Sequence, residues 1–271
     1  MDRKNAQELK EHIFGSYFSL RIGLAAIGVA LPLVVLASGA ALHHVWLEPS
    51  ISRYYHTAAR LPYLTTRDLF VGGLFAVAAC LYLYKGFGSR ENIALNMAGV
   101  FAVLVALLPT AAKDGDPGLV PTLHKTSAVL FFLCIAYVSL FRARDTIPLL
   151  PVDKQDGYRR KYLWTGAAMV VLPLLAVVLS YVFAPGSKVK ALTFLVESFA
   201  VWAFAWYWLV KTKEMRETSA ERRALDAKLR REVVVAPAPG TEASASPAPE
   251  AERPRLKKML RPQQEAIVPA E

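Results

Sequence analysis

Residues 22–42 read IGLAAIGVALPLVVLASGAAL, an apolar run that contains no charged side chain. A helix rises about 1.5 Å per residue and the hydrocarbon core of a bilayer is about 30 Å thick, so roughly 20 apolar residues are enough to cross it. Arg21 precedes the run, and His43 and His44 follow it. This stretch therefore predicts a transmembrane helix.

Five further apolar runs follow along the chain. Backbone polar groups must find partners within the segment when it lies in lipid, and these runs do not alternate as barrel strands do, so they also predict helices. The predicted spans are residues 22–42, 69–84, 93–108, 123–141, 163–184 (interrupted by Pro173) and 192–210. The predicted fold class is all-α, a polytopic membrane bundle of six transmembrane helices.

The composition agrees with a membrane protein. The chain has 271 residues, is 54% hydrophobic and 20% charged, and carries a formal net charge of +10. The charges lie in short clusters between the apolar runs, which excludes a soluble two-domain enzyme and a disordered basic protein. Two cysteines exclude a disulfide framework and a cysteine-rich zinc or iron–sulfur site.

Lys and Arg are denser on one side of the predicted spans, in residues 142–161 and after residue 210. The positive-inside rule then places both termini in the cytoplasm, in the inner membrane. The predicted organisation is a cytoplasmic leader (1–21), the six-span domain (22–210), a charged cytoplasmic helix (211–235) and a disordered basic tail rich in Pro and Ala (236–271). A competing interpretation is a signal peptide cleaved within residues 36–40, LASGA, which would leave five spans.

The tail carries a second group of basic residues: Arg253, Arg255, Lys257, Lys258 and Arg261. They would be attracted to anionic lipid headgroups at about 1 kcal/mol each, or would only solubilise the tail. Because no aromatic residues are interleaved with them, nucleic-acid binding is not predicted. The bilayer is the one certain partner that the sequence predicts, and no protein partner is identified.

Ionisable residues within or beside spans are the default functional candidates in a membrane protein. In the orientation above, four of the five histidines fall on the outer side together with Asp68 and Glu197. If the loop after the first span contains a short helix, Ser52 and His56 are four residues apart and share a face. The predicted catalytic residues are Ser52, His56, Asp68 and Glu197, with His56 as base or ligand and Asp68 orienting it.

The same loop is rich in tyrosine and arginine, which suits phosphate or headgroup recognition. The predicted substrate-binding residues are Tyr54, Tyr55, Arg60 and Arg67. Zinc is the cofactor that the histidines would suit, with His56, His124 and His44 as ligands, although no HxxH, HxxxH or HExxH pair occurs. The alternative is that the tyrosines and arginines only anchor the bundle at the interface.

Glu197 lies a little over one turn into the sixth predicted span. A charged carboxylate facing lipid at that depth costs a few kcal/mol, so Glu197 must face the bundle, pair with a base or stay protonated. It is either a proton or substrate site, or one member of a structural pair.

Two blocks resemble known families. Ser50-Ile-Ser-Arg-Tyr-Tyr-His56, leading to residues 67–72, and residues 84–110 resemble uncharacterised multi-pass proteins of bacterial inner membranes. Ser52, His56 and Asp68 are also similar to the first part of the zinc site in the alkaline-ceramidase and adiponectin-receptor group of membrane hydrolases. That group has a late His-x-x-x-His pair, where the sixth span here offers Glu197-Ser198.

Three functions remain open at this stage. The first is a lipid-handling protein or membrane hydrolase with an outward-facing polar site. The second is a non-catalytic sensor, scaffold or partner subunit. The third is a proton-coupled transporter of a small solute that uses Glu197. Whether the protein is an enzyme is not decided by the sequence.

Overall fold

The computed structural model describes residues 3–57, 64–111, 118–182 and 190–219. Within these residues the regular structure is entirely helical. The six long helices are α1 (Arg3–His43), α2 (Thr66–Leu83), α3 (Ser89–Leu107), α4 (Leu119–Tyr137), α5 (Val152–Val182) and α6 (Lys190–Thr218). A 3₁₀ helix, here the loop helix, spans Ile51–His56, and α4 continues through a π-helical turn, Val138–Arg142, into two 3₁₀ turns.

Each of the six predicted spans lies, apart from one or two residues at its end, within a helix that is long and apolar enough to cross a membrane. The all-α, six-span fold class is therefore confirmed, and the chain is a multi-pass membrane protein. The helices extend further than hydropathy indicates, because a helix does not end where its side chains become polar. The predicted boundary between residues 210 and 211 lies inside α6, and residues 220–271 lie outside the described residues.

The helices form a closed ring in which each packs on the next and α6 packs back on α1. Short connections make successive helices antiparallel. The two ends of the bundle are named as follows. The 'loop end' is where α1, α3 and α5 end, and the 'termini end' is where α1 begins and α6 ends. At the loop end the Thr66 backbone N–H donates to His43 Nε2 at 3.3 Å, which joins the end of α1 to the start of α2.

The exterior of the bundle is apolar, as a lipid-facing surface requires. Large side chains such as Ile93 and Val171 are more than half exposed. Aromatic rings fill the interior near the termini end, where Trp208 packs edge-on against Tyr84 and Tyr207 with ring centroids 5.1 Å apart in each case. Such edge-to-face pairs contribute about 0.5–1.5 kcal/mol each beyond their buried area.

The loop helix is held in the bundle by one of its faces. In a 3₁₀ helix residues three apart eclipse each other, and Ile51 and Tyr54 are the pair that points inward, both of them buried. The Tyr54 ring lies against Gly39 so closely that a Cβ on that glycine would come 2.3 Å from the ring. A glycine at position 39 is therefore needed for the loop helix to reach its place over the end of α1.

Candidate functional site

A cavity of about 280 Å³, here the central cavity, lies inside the ring near the loop end. All six helices contribute to its wall, together with residues 49–53 of the loop helix and its approach. Its volume is close to the lower limit of roughly 300–1,000 Å³ that is usual for small-molecule sites. The polar residues that line it are Ser50, Ser52, Arg53, Thr110, His124, Lys125, Thr193 and Glu197.

The wall changes character with depth. The polar residues belong to the loop-helix segment, to Thr110 just after α3, and to the first two or so turns of α4 and α6, so they gather toward the loop end. Deeper in the bundle the wall is apolar and includes Leu31, Phe131, Pro173 and Val201. The central cavity therefore has a polar mouth and an apolar floor, the arrangement that an amphipathic molecule requires.

Glu197 fastens the loop helix to α6. Its carboxylate accepts a hydrogen bond from Ser50 Oγ, 2.8 and 2.9 Å from the two oxygens, and another from the Ile51 backbone N–H at 2.7 Å. Ser50 Oγ in turn accepts from the Ser52 backbone N–H at 3.2 Å. Lys125 lies close enough to interact electrostatically with the carboxylate. Glu197 thus faces the bundle, and it accepts from the Ile51 N–H, one of the groups that the first turn of a helix leaves without partners.

His124 contributes to the wall of the central cavity and carries a buried hydrogen-bond acceptor. The side chain is 3% exposed. Its Nδ1 lies 2.7 Å from the Leu108 carbonyl oxygen, which can only accept, so Nδ1 carries the proton. In a neutral imidazole Nε2 then holds a lone pair. This buried Nε2 has no hydrogen-bond partner among the described residues, and the Val105 backbone also lies near enough to interact with the ring.

Of the four predicted catalytic residues, Ser52 and Glu197 line the central cavity, whereas His56 and Asp68 do not. Successive residues of a 3₁₀ helix are about 120° apart, so Ser52 and His56 point in directions about 120° apart instead of sharing a face as they would in an α-helix. Ser52 lines the central cavity, whereas His56 is exposed and its Nε2 lies 2.6 Å from the Thr110 carbonyl oxygen.

Asp68 caps its own helix. Its carboxylate accepts from the Thr65 N–H and from Thr65 Oγ1, both at 2.9 Å, and the Asp68 N–H donates to Thr65 Oγ1 at 3.2 Å, which forms a capping box. Within the described part of the chain, no hydrogen bond or ion pair joins Asp68 to His56. The arrangement therefore does not place Asp68 as the group that orients His56.

The predicted substrate-binding residues that the structure describes, Tyr54, Tyr55 and Arg67, lie outside the central cavity. Tyr54 is buried in the core and its hydroxyl oxygen accepts from the Glu48 N–H at 3.3 Å, while burial raises the pKa of the phenol. Tyr55 packs under the Arg67 guanidinium, 4.2 Å from the ring centroid, and its hydroxyl accepts from that guanidinium at 2.7 Å. Tyr55 and Arg67 both lie on the surface of the loop end. Arg60 lies outside the described residues.

The predicted zinc ligands are dispersed. His44 is exposed and takes a left-handed backbone conformation, with φ at 55°, just past the end of α1. His56 and His124 each bond to a backbone carbonyl, as described above. Among the residues that the structure describes, no group of three or more His, Cys, Asp and Glu side chains is placed to hold a metal ion.

A second polar cluster lies at the termini end and was not predicted from the sequence. Lys211 and Glu214 are 1% and 0% exposed, and their side chains form an ion pair at 3.1 Å. Lys211 Nζ also donates to Thr146 Oγ1 at 2.9 Å, and the carboxylate accepts from the hydroxyls of Thr146 and Tyr162. Helical periodicity could have indicated that Lys211 is buried, because positions 204, 208, 211 and 215 continue one buried face of α6.

The chain was compared with protein-family models, curated proteins and solved structures, and none of them matches it. The two family resemblances therefore stay predictions.

Proposed function

We propose that the protein binds an amphipathic, lipid-like molecule in the central cavity, with a hydrogen-bond-donating head on His124 and an apolar tail toward the floor. The observation that carries this proposal is the buried Nε2 of His124. A buried acceptor without a partner costs about 1–3 kcal/mol, and a hydroxyl or ammonium group of a ligand would remove that cost.

The size and lining of the cavity support a particular class of ligand. A volume of about 280 Å³ suits a polar head with the adjoining part of one chain, rather than a whole two-chain phospholipid. Ser52 and Arg53 border the mouth, where the head would lie, and Phe131 and Pro173 border the floor. A single-chain lipid with hydroxyl groups has this shape and chemistry.

This proposal is one of lipid handling or lipid sensing without catalysis. The dispersal of Ser52, His56 and Asp68 counts against a hydrolase that depends on those three residues. The contacts of Glu197 count against a proton carrier, because its carboxylate is occupied in fastening the loop helix.

Binding to purified protein tests the proposal with two probes that share one acyl chain. A monoacylglycerol can donate hydrogen bonds from its hydroxyls, and the corresponding fatty-acid methyl ester cannot. We expect the monoacylglycerol to bind about tenfold more tightly, since one buried hydrogen bond contributes about 1–1.5 kcal/mol. Native mass spectrometry of the protein released from detergent measures both affinities.

The variant His124→Phe keeps a ring of similar shape and removes the acceptor. It should bind the two probes equally, whereas His12→Phe, at an exposed position in α1, should retain the preference of the unmodified protein. Equal affinity of the unmodified protein for both probes would refute the proposed role of His124.

We also propose that the protein resides in a bacterial inner membrane with both termini in the cytoplasm. Exposed basic side chains at the termini end support this orientation: Arg144, Arg159, Arg160, Lys213 and Arg216. A cytoplasm-active fluorescent reporter fused after residue 235 should be bright, and an export-dependent phosphatase fused there should be inactive. The opposite pair of results would show that the orientation is reversed.

A further inference from the structure

A groove of about 840 Å³, here the α5–α6 groove, lies on the outside of the bundle toward the termini end. Its walls are one face of α5 and one face of α6, and large aromatic residues stand on both. Trp164 and Trp206 are 73% and 53% exposed, more than an internal packing role would leave them. The groove is separate from the central cavity and shares no lining residue with it.

Small residues on both helices leave room for the α5–α6 groove. Gly157 and Ala168 on α5 and Ala203 on α6 line the groove between the larger side chains. A Cβ added to Gly157 would meet no atom within 4 Å, so this part of α5 opens onto free space.

Two cations stand at one end of the groove. Arg160 and Lys161 are exposed, and no carboxylate in the described part of the chain lies within 4.0 Å of either side chain. Neighbouring cations differ in this respect, since Arg159 lies 3.8 Å from Asp156 and Lys154 lies 3.2 Å from Glu217. Lys161 Nζ lies 4.8 Å from the centroid of the Tyr158 ring, a cation–π contact that does not neutralise its charge, so both cations are available to an external anion.

The groove has the polarity profile of a single membrane leaflet. It starts with the two cations, passes the tryptophans and ends among apolar residues at Leu172 and Phe199. From Lys161 to Leu172 the helix rises about 17 Å, close to half of the roughly 30 Å hydrocarbon core. Tryptophan is the residue that prefers the boundary between headgroups and chains.

We propose that the α5–α6 groove is a binding site for one anionic phospholipid. Arg160 and Lys161 bind its phosphate, Trp164 and Trp206 flank its glycerol region, and an acyl chain follows the groove toward Leu172 and Phe199. Basic pockets between helices at the cytoplasmic side of a membrane are suited to anionic headgroups. A protein partner would not require a surface that changes from charged to aromatic to apolar side chains over the depth of one leaflet.

Nanodiscs provide the test. The protein is reconstituted in phosphatidylcholine discs, and phosphatidylglycerol with brominated acyl chains is added as a minor component. Bromine quenches tryptophan fluorescence on contact, so Trp164, Trp202 and Trp206 report an occupied groove. We expect quenching that saturates with phosphatidylglycerol and that brominated phosphatidylcholine does not reproduce at the same mole fraction.

Paired variants of equal charge locate the site. Arg160→Gln with Lys161→Gln should weaken phosphatidylglycerol binding about thirtyfold, as expected for two basic residues at a membrane surface. Arg144→Gln with Arg159→Gln removes the same charge from exposed positions at the same end and should leave binding within twofold of the unmodified protein.

Four results would overturn the proposal. Equal quenching by the two brominated lipids would indicate ordinary annular lipid, and equal loss in both double variants would indicate a general effect of charge. Displacement of the lipid by soluble glycerol phosphate would indicate a site for a free phosphate compound. A cross-link between two copies through position 203 in these discs, with no selective quenching, would indicate that a second copy covers the groove.

Discussion

Replacing Lys211 by Met is expected to lower the free energy of unfolding by about 3–5 kcal/mol, the largest effect of any substitution considered for this chain. Met fills a similar volume but leaves the Glu214 carboxylate buried without its cation. The hydroxyls of Thr146 and Tyr162 still donate to that carboxylate, but they do not neutralise it. Unfolding in mixed micelles with increasing SDS, followed by tryptophan fluorescence, measures the loss.

Two control variants separate the ion pair from a general effect at this position. Lys211→Met combined with Glu214→Gln should recover most of the loss, because no unpaired charge then stays buried. Lys213→Met removes an exposed charge from the same helix and should change stability by no more than about 0.5 kcal/mol. If Lys211→Met unfolds like the unmodified protein, the pair is not buried as described.

Replacing Glu197 by Ala is expected to cost about 3 kcal/mol and to release the loop helix. Hydrogen bonds to a charged group contribute about 1.5–3 kcal/mol each, and Glu197 accepts from both Ser50 Oγ and the Ile51 N–H. Water entering through the mouth of the cavity would offset part of the loss of two such bonds. Because Ser52 and Arg53 border the mouth, ligand binding should weaken as well.

Hydrogen exchange shows whether the loss is local. In Glu197→Ala the amides of residues 51–57 should exchange faster, while amides in the middle of α3 should keep their protection. Glu48→Ala is the matched control, since that carboxylate lies 3.8 Å from Arg53 at the surface and should leave exchange unchanged. Unaltered protection of residues 51–57 in Glu197→Ala would show that the carboxylate does not hold the loop helix.

The fold was predictable because a bilayer imposes one dominant constraint on sequence. Apolar runs of sufficient length place all six spans, and the predicted 93–108 run differs from the helix Ser89–Leu107 only at its ends. Helix ends were less predictable, since polar residues continue a helix into the interface. The role of Asp68 did have a sequence signal, because Thr65-x-x-Asp68 before an apolar run has the spacing of a capping box.

The candidate site was predictable only in part. Ser52, His124 and Glu197 were chosen from the sequence and do line the central cavity together. His56 was chosen on α-helical spacing, and the 3₁₀ geometry of the loop helix turns it away. Lys211 and Glu214 were interpreted as solvated cytoplasmic charges because composition cannot show that two opposite charges compensate each other inside a bundle.

A structure determined in lipid, with a monoacylglycerol added, tests the central claim most directly. We expect ligand density in the central cavity, with a hydroxyl oxygen within hydrogen-bond distance of His124 Nε2 and the chain running between Phe131 and Pro173. A cavity closed by shifted side chains, or a ligand seated elsewhere while His124 Nε2 bonds to the protein itself, would contradict the account.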